Sequence, residues 1–114
     1  MKADPVLSML SIAAKAGKVK SGGFAAEEAI RRKKAFLVII AGDASEATRQ
    51  SYEDMGRHYH VPCLTYSDKA ALGQAVGKEY RAAAAVCDEG LANGIRKRAK
   101  GMPEEVTEVD VWQR

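Results

Sequence analysis

The sequence predicts an α/β fold: a three-layer α/β/α sandwich around a small mixed, largely parallel sheet. Three observations lead there. The run Phe36 to Ala41 (FLVIIA) is apolar without alternation, as in a strand buried on both faces. Short apolar runs alternate with segments of helical period, which places helices over both faces of a sheet. The chain has 114 residues, enough for one compact domain with its own core.

Each element has its own signal. Asp4 before Pro5 reads as an N-cap with proline at the first helical position, and Val6, Leu7, Leu10, Ala13 and Ala14 then repeat at helical spacing until Gly17. A short strand fits Lys18 to Ser21. Phe24, Ala26, Ala29 and Ile30 mark one face of a second helix that ends among Arg31 to Lys34, and the strand Phe36 to Ala41 follows. In Asp43-Ala-Ser-Glu46 the spacing of a capping box opens a third helix, which Val61-Pro62 breaks. Pro62 to Tyr66 is a strand, Ser67 or Asp68 caps a short helix through Val76, and Gly77 closes it.

Ala82 to Cys87 (AAAAVC) favours helix by alanine content, yet it is short, apolar and placed where a strand is due. Gly90 to Ala99 reads as a last helix ending in cations. Past Gly101 and Pro103, EEVTEVDVWQR alternates, so residues 102–114 form an edge strand or a tail behind a domain of residues 1–101.

Charge is unevenly spread. Residues 1–40 hold eight Lys and Arg against three acids, residues 41–80 four against six, and residues 81–114 six against six. The basic end contains Gly22-Gly23, so a polyanion on that face, nucleic acid being the common one, is the expectation beside a merely solvated helix. No apolar run approaches the roughly 18 residues of a membrane span, and MKADPVLSML lacks a signal peptide's pattern. A cytoplasmic protein without membrane contact, its two cysteines reduced, is expected.

Enzymatic readings find little. No G-x-G-x-x-G or P-loop occurs, and Gly42-Asp43-Ala44-Ser45 is a generic strand-to-helix turn. A zinc site drawn from His58, His60, Cys63 and Cys87 fails because residues two apart on a helix do not share a face. Asp88-Glu89 suits a helix start better than a catalytic pair. No cofactor, metal or catalytic residue is expected.

A binding reading is stronger. Lys15, Lys18 and Lys20 lead into Gly22-Gly23, and Arg31 to Lys34 close the helix that begins there, so cations bracket a helix N-terminus suited to anions. In a second loop, Gly77-Lys78-Glu79-Tyr80-Arg81, Tyr80 either stacks on a base or caps the core, and Arg81 can reach a phosphate.

Read together, A-G-K-V-x-S-G (from Ala16), L-V-I-I-A-x-D-A-S (from Leu37), Val61-Pro62 before a strand, and L-G-x-A-V-G-K (from Leu72) resemble the ribosomal L-seven-Ae kink-turn-binding family, in its small bacterial YlxQ-like branch. The likeness runs from residue 5 to about 99. It implies the α/β/α sandwich, no catalysis, and binding to RNA that bends sharply at a bulge flanked by sheared G·A pairs. A monomer with a ribosomal or other structured RNA partner is implied. Lys20 and Gly22 match the family's pattern, and Lys78 to Ala83 match its loop against the bulged nucleotide. The Asn-Glu-x-x-Lys that reads the purines elsewhere is replaced: Phe24 stands for Asn, Ala25 for Glu and Glu28 for Lys. The implied RNA-facing set is Lys18, Lys20, Ser21, Gly22, Gly23, Phe24, Ala25, Glu28, Arg31, Ser45, Lys78, Glu79, Tyr80, Arg81, Ala82 and Ala83. Phe24 either stacks on RNA or belongs to the core. The alternative is a protein-interaction module, with the apolar Phe24-Ala25-Ala26 helix start and the tail offered to a protein.

Overall fold

Helix α1 (Pro5–Lys15) begins where Asp4 caps it, one carboxylate oxygen accepting the Leu7 N–H at 2.9 Å while the other accepts the Tyr66 hydroxyl at 2.6 Å. The first turn is thereby tied to a strand sixty-two positions away. The structure is a computed structural model and describes residues 4–100 and 106–109. After α1 come β1 (Val19–Ser21), α2 (Gly23–Arg31), β2 (Leu37–Ile40), α3 (Glu46–Tyr59), β3 (Cys63–Tyr66), α4 (Lys69–Ala75), β4 (Ala83–Val86), α5 (Glu89–Lys100) and β5 (Val106–Val109).

Helix α3 starts differently from expectation. Ser45, extended at φ −61° and ψ 154°, is the cap, and its hydroxyl accepts the Thr48 N–H at 3.1 Å. Asp43 instead accepts the Lys69 N–H at 2.8 Å, joining the β2–α3 turn to the start of α4. Of the two candidates for capping α4, Asp68 does so, accepting the Ala71 N–H at 2.8 Å.

The strands form one mixed sheet in the order β1-β4-β2-β3-β5. The expected balance of directions is corrected: only β2 and β3 pair in parallel, while β1–β4, β2–β4 and β3–β5 are antiparallel. Crossovers through α2 and α3 do point β1, β2 and β3 the same way. The seven residues of α4, about 10 Å of helix, are too few to carry the chain back along the sheet before the next strand. So β4 enters where β3 leaves, runs the opposite way and wedges between β1 and β2.

Every residue of β2 and β4 is buried, because helices cover both faces. On one side α2 packs with α3; on the other α1 packs with α5 and α4. The alanines of β4 suit this centre, since short side chains let both helical layers come close over a strand with neighbours on either edge. Strand β5 lies along β3, from Tyr66↔Val106 to Cys63↔Val109. The rest of the carboxy-terminal segment, with the boundary expected at residue 101, lies outside the described residues. No helix among the described residues is long and apolar enough to cross a membrane.

Candidate nucleic-acid interface

The wedge of β4 decides where the loops meet. Ser21 lies opposite Ala84 and Ile40 opposite Ala83, so the carboxyl ends of β1 and β2 share one end of the sheet with the start of β4. The N-termini of α2 and α3 therefore stand beside the loop that precedes β4, at the strand ends where α/β sheets commonly take ligands.

Gly22 caps α2 at φ 89° and ψ 152°, a backbone that L-residues avoid. Its carbonyl accepts the Ala26 N–H at 3.0 Å. The N–H groups of Gly23, Phe24 and Ala25 meet no acceptor among the described residues, as at any open helix start. Beside them is a cleft of about 390 Å³. Its α2 wall is Gly22, Gly23 and Glu27, its α3 wall is Ala47, Thr48, Ser51 and Tyr52, and Ala82 and Ala83 complete it.

Arg81 joins the two loops. Its Nε donates to the Ser21 hydroxyl at 3.1 Å, a second guanidinium N–H donates to the Tyr80 carbonyl at 2.9 Å, and its backbone N–H donates to the Lys69 carbonyl at 3.1 Å. A Cβ on Gly22 would stand 3.7 Å from Arg81 Nε, so the capping glycine and the guanidinium are in contact. Gly73 makes the second loop fit: a Cβ there would lie 2.6 Å from the Glu79 carbonyl oxygen. Lys78 closes the turn, its N–H donating to the Gly73 carbonyl at 2.7 Å.

Phe24 is 79% exposed and Tyr80 59% exposed, so neither serves the core. Ala25, Ala82 and Ala83 line the same end, with Ala83 buried, while Lys78 and Glu79 are exposed on the second loop.

Other members of the expected set do not line the cleft. Lys18 is at the opposite end of β1 from Ser21, its carbonyl accepting the Cys87 N–H at 2.7 Å. Burial pushes the Cys87 thiol up, and the charges of Lys20, Lys34 and Lys18 oppose that push. Arg31 pairs with Glu27 at 3.1 Å and lines a separate depression between α2 and α3 with Asp54 and His58. Glu28 pairs with Arg32. Two of the four cations expected to close the basic bracket are thus matched by carboxylates one turn earlier. The Ser45 hydroxyl is engaged at the helix cap and also meets the Thr48 hydroxyl at 2.9 Å.

Thr48 and Ser51 on the α3 wall were absent from the sequence expectation. Their signal was indirect: two hydroxyls in the first turns of a helix that follows a buried strand. The Gly42 turn closes on protein, because its N–H donates to the Ser67 carbonyl at 2.8 Å and a Cβ on Gly42 would lie 2.9 Å from that oxygen. Among the described residues no group of three or more His, Cys, Asp or Glu side chains could hold a metal ion.

Known proteins resemble this chain in sequence and fold. Residues 4–95 match the family model described as the ribosomal protein L7Ae/L30e/S12e/Gadd45 family. The sequence is 39% identical to the RNA-binding protein YlxQ of Bacillus subtilis (strain 168) over 87 residues, 76% of this chain and 87% of that one. It is 35% identical over 98 residues to the large ribosomal subunit protein eL8 of Cenarchaeum symbiosum (strain A), covering 81% of this chain and 74% of that one. A solved structure of a protein of unknown function from Bacillus halodurans is similar at a TM-score of 0.82 and 26% identity, covering 86% of this chain and 99% of that one. With the family model spanning both loops and all three walls of the cleft, the chain belongs to the ribosomal protein L7Ae/L30e/S12e/Gadd45 family, in its YlxQ-like branch.

Proposed function

We propose that this protein is a non-enzymatic RNA-binding protein of the ribosomal-protein-like kind that docks a kink-turn or similarly bent structured RNA at the cleft between α2, α3 and the loop before β4. The observation that carries the reading is the Arg81 bridge, which holds the two loops in register around two exposed aromatic rings and an open helix N-terminus. Exposed rings stack on unpaired bases, and open N–H groups with a guanidinium nearby suit phosphate oxygens. The RNA-binding name of the Bacillus relative supports the ligand class. By preferring the bent form, the protein would shift a fluctuating RNA toward it.

Departures from the family pattern bear on how the RNA is read. A good polar contact to a base edge contributes on the order of 1 to 3 kcal/mol of discrimination, and Phe24 and Ala25 supply none. Recognition through shape, stacking and backbone takes its place in this reading.

The test is a titration with a kink-turn RNA and a copy whose G·A pairs are replaced by Watson-Crick pairs. A clear preference for the first, with affinity falling as salt rises, is expected. Equal and weak binding to both would overturn the proposal in favour of the protein-interaction reading, which the exposure of Phe24 also accommodates.

A further inference from the structure

Helix α5 carries more positive charge at its end than the helix uses. Arg96, Lys97, Arg98 and Lys100 fall within five residues, and no acid follows Glu89 in the helix. A cation in the last turn answers the helix dipole, but like charges three and four residues apart, such as Lys97 with Lys100 and Arg96 with Lys100, repel. Elsewhere the fold pairs its helix-end cations with acids: Arg31 with Glu27, Arg32 with Glu28 and Arg57 with Asp54. Among the described residues no carboxylate reaches Lys97, Arg98 or Lys100, all three exposed, and Arg98 bonds only the Gly94 carbonyl of its own helix at 3.1 Å.

Topology brings this end toward the cleft. Strand β4 leaves the cleft end of the sheet and finishes beside Lys18, so α5 starts at the far end. Its twelve residues, about 18 Å of helix, then return along α1, whose own start is bonded to Tyr66 at the cleft end. The cluster of cations and the cleft, with Arg81 at its edge, thus look out over the same end of the molecule, from opposite faces of the sheet.

We infer that Lys97, Arg98 and Lys100 form a second RNA-contact surface, which takes the phosphate backbone of a double-helical arm leaving the bend held in the cleft. The inference rests on the proposed RNA-binding function and adds the direction in which the bound RNA extends. Three exposed cations facing a duplex act by charge and shape, not by base sequence.

The experiment compares two kink-turn RNAs, one trimmed to the bend and one with an arm extended by a full helical turn, on the wild-type chain and on the triple variant Lys97→Ala, Arg98→Ala, Lys100→Ala. Alanine preserves the helix. For the wild type the extended RNA should bind more tightly; in the triple variant that advantage should vanish, about a tenfold loss, and the salt slope should fall by roughly 0.9 per phosphate contact removed. Replacing Lys97 and Lys100 by arginine should keep the advantage. Equal binding of both RNAs by the wild type, or an equal loss for both in the triple variant, would overturn the inference while leaving the G·A preference, and so the proposed function, standing. Loss of binding to polyglutamate in the triple variant with both RNAs unaffected would assign the surface to an acidic protein and also overturn it. If the wild type binds neither RNA, the proposed function fails and the inference with it.

Discussion

Arg81 reaches back sixty positions to Ser21, its Nε donating to the hydroxyl at 3.1 Å. The bond crosses from the loop before β4 to the end of β1 and makes one surface of two loops that the whole run from α2 to α4 separates along the chain. Arg81→Ala should cost about 1 kcal/mol of stability through the lost hydrogen bonds, and considerably more in RNA affinity, because both loops lose their mutual position and one cation is removed. Arg81→Lys keeps the charge without the fork, so its affinity should fall between the two. Thermal melts and RNA titrations of the three proteins check this; an Arg81→Ala protein that binds as well as wild type would refute it.

Phe24 and Tyr80 are exposed large rings at the same end of the sheet. Phe24→Ala and Tyr80→Ala should leave stability within about 0.5 kcal/mol of wild type, since neither ring fills the core. If the rings stack on bases, each substitution should weaken RNA binding by roughly 1 to 3 kcal/mol. Paired denaturation and binding curves separate the two effects.

Neighbouring glycines should behave oppositely. Gly22 sits at φ 89°, so Gly22→Ala should destabilise the fold by about 1 to 2 kcal/mol. At Gly23 a Cβ would meet nothing within 4 Å, and Gly23→Ala should leave stability unchanged or slightly raised. A methyl group on the cleft wall beside the open N–H groups should still impair RNA docking, which makes Gly23→Ala a test of the site that the fold does not confound.

Glu28 stands where the family pattern has lysine and is paired with Arg32. Glu28→Lys replaces that pair by two cations four residues apart, a cost of a few tenths of a kcal/mol in the helix. If α2 faces RNA, binding should nevertheless tighten, with a steeper salt dependence. Unchanged affinity would show that the RNA uses another surface.

Cys63 is 1% exposed, and burial, reinforced by Glu53 and opposed by Arg57, pushes its thiol up from 9.0 to about 12. The raised value means that the folded protein holds the proton longer than the unfolded chain does. Its contribution to stability is therefore complete below pH 9 and declines as pH rises from 9 toward 12. Denaturant titrations should show this decline flattened in Cys63→Ala. Alkylation of the native protein at mildly alkaline pH should modify the half-buried Cys87 well before Cys63.

Much of this fold is legible residue by residue where the signal is local. Asp4-Pro5 marked α1, the unbroken apolar run marked β2, and the position of the alanine run outweighed its helical propensity at β4. Strand direction was not legible, because it depended on whether the seven residues of α4 could cross the sheet, and no residue type reports that distance. The cap of α3 went to Ser45 because Asp43 had a longer-range use at Lys69. At the candidate site, the two glycines and the loop Lys78–Arg81 could be read from spacing, whereas the Arg81 bridge and the Thr48–Ser51 wall follow from the wedge of β4. The basic bracket was overstated, since Glu27 and Glu28 recur one helical turn before Arg31 and Arg32.

That wedge also sets a timetable. A nascent polypeptide emerging from the ribosome presents Gly22 early, but β1 has no strand to pair with until Ala83 to Val86 have been synthesised. Competence to recognise a ligand at the cleft should consequently appear late in translation and all at once, and amino-terminal fragments ending before β4 should be unable to acquire it.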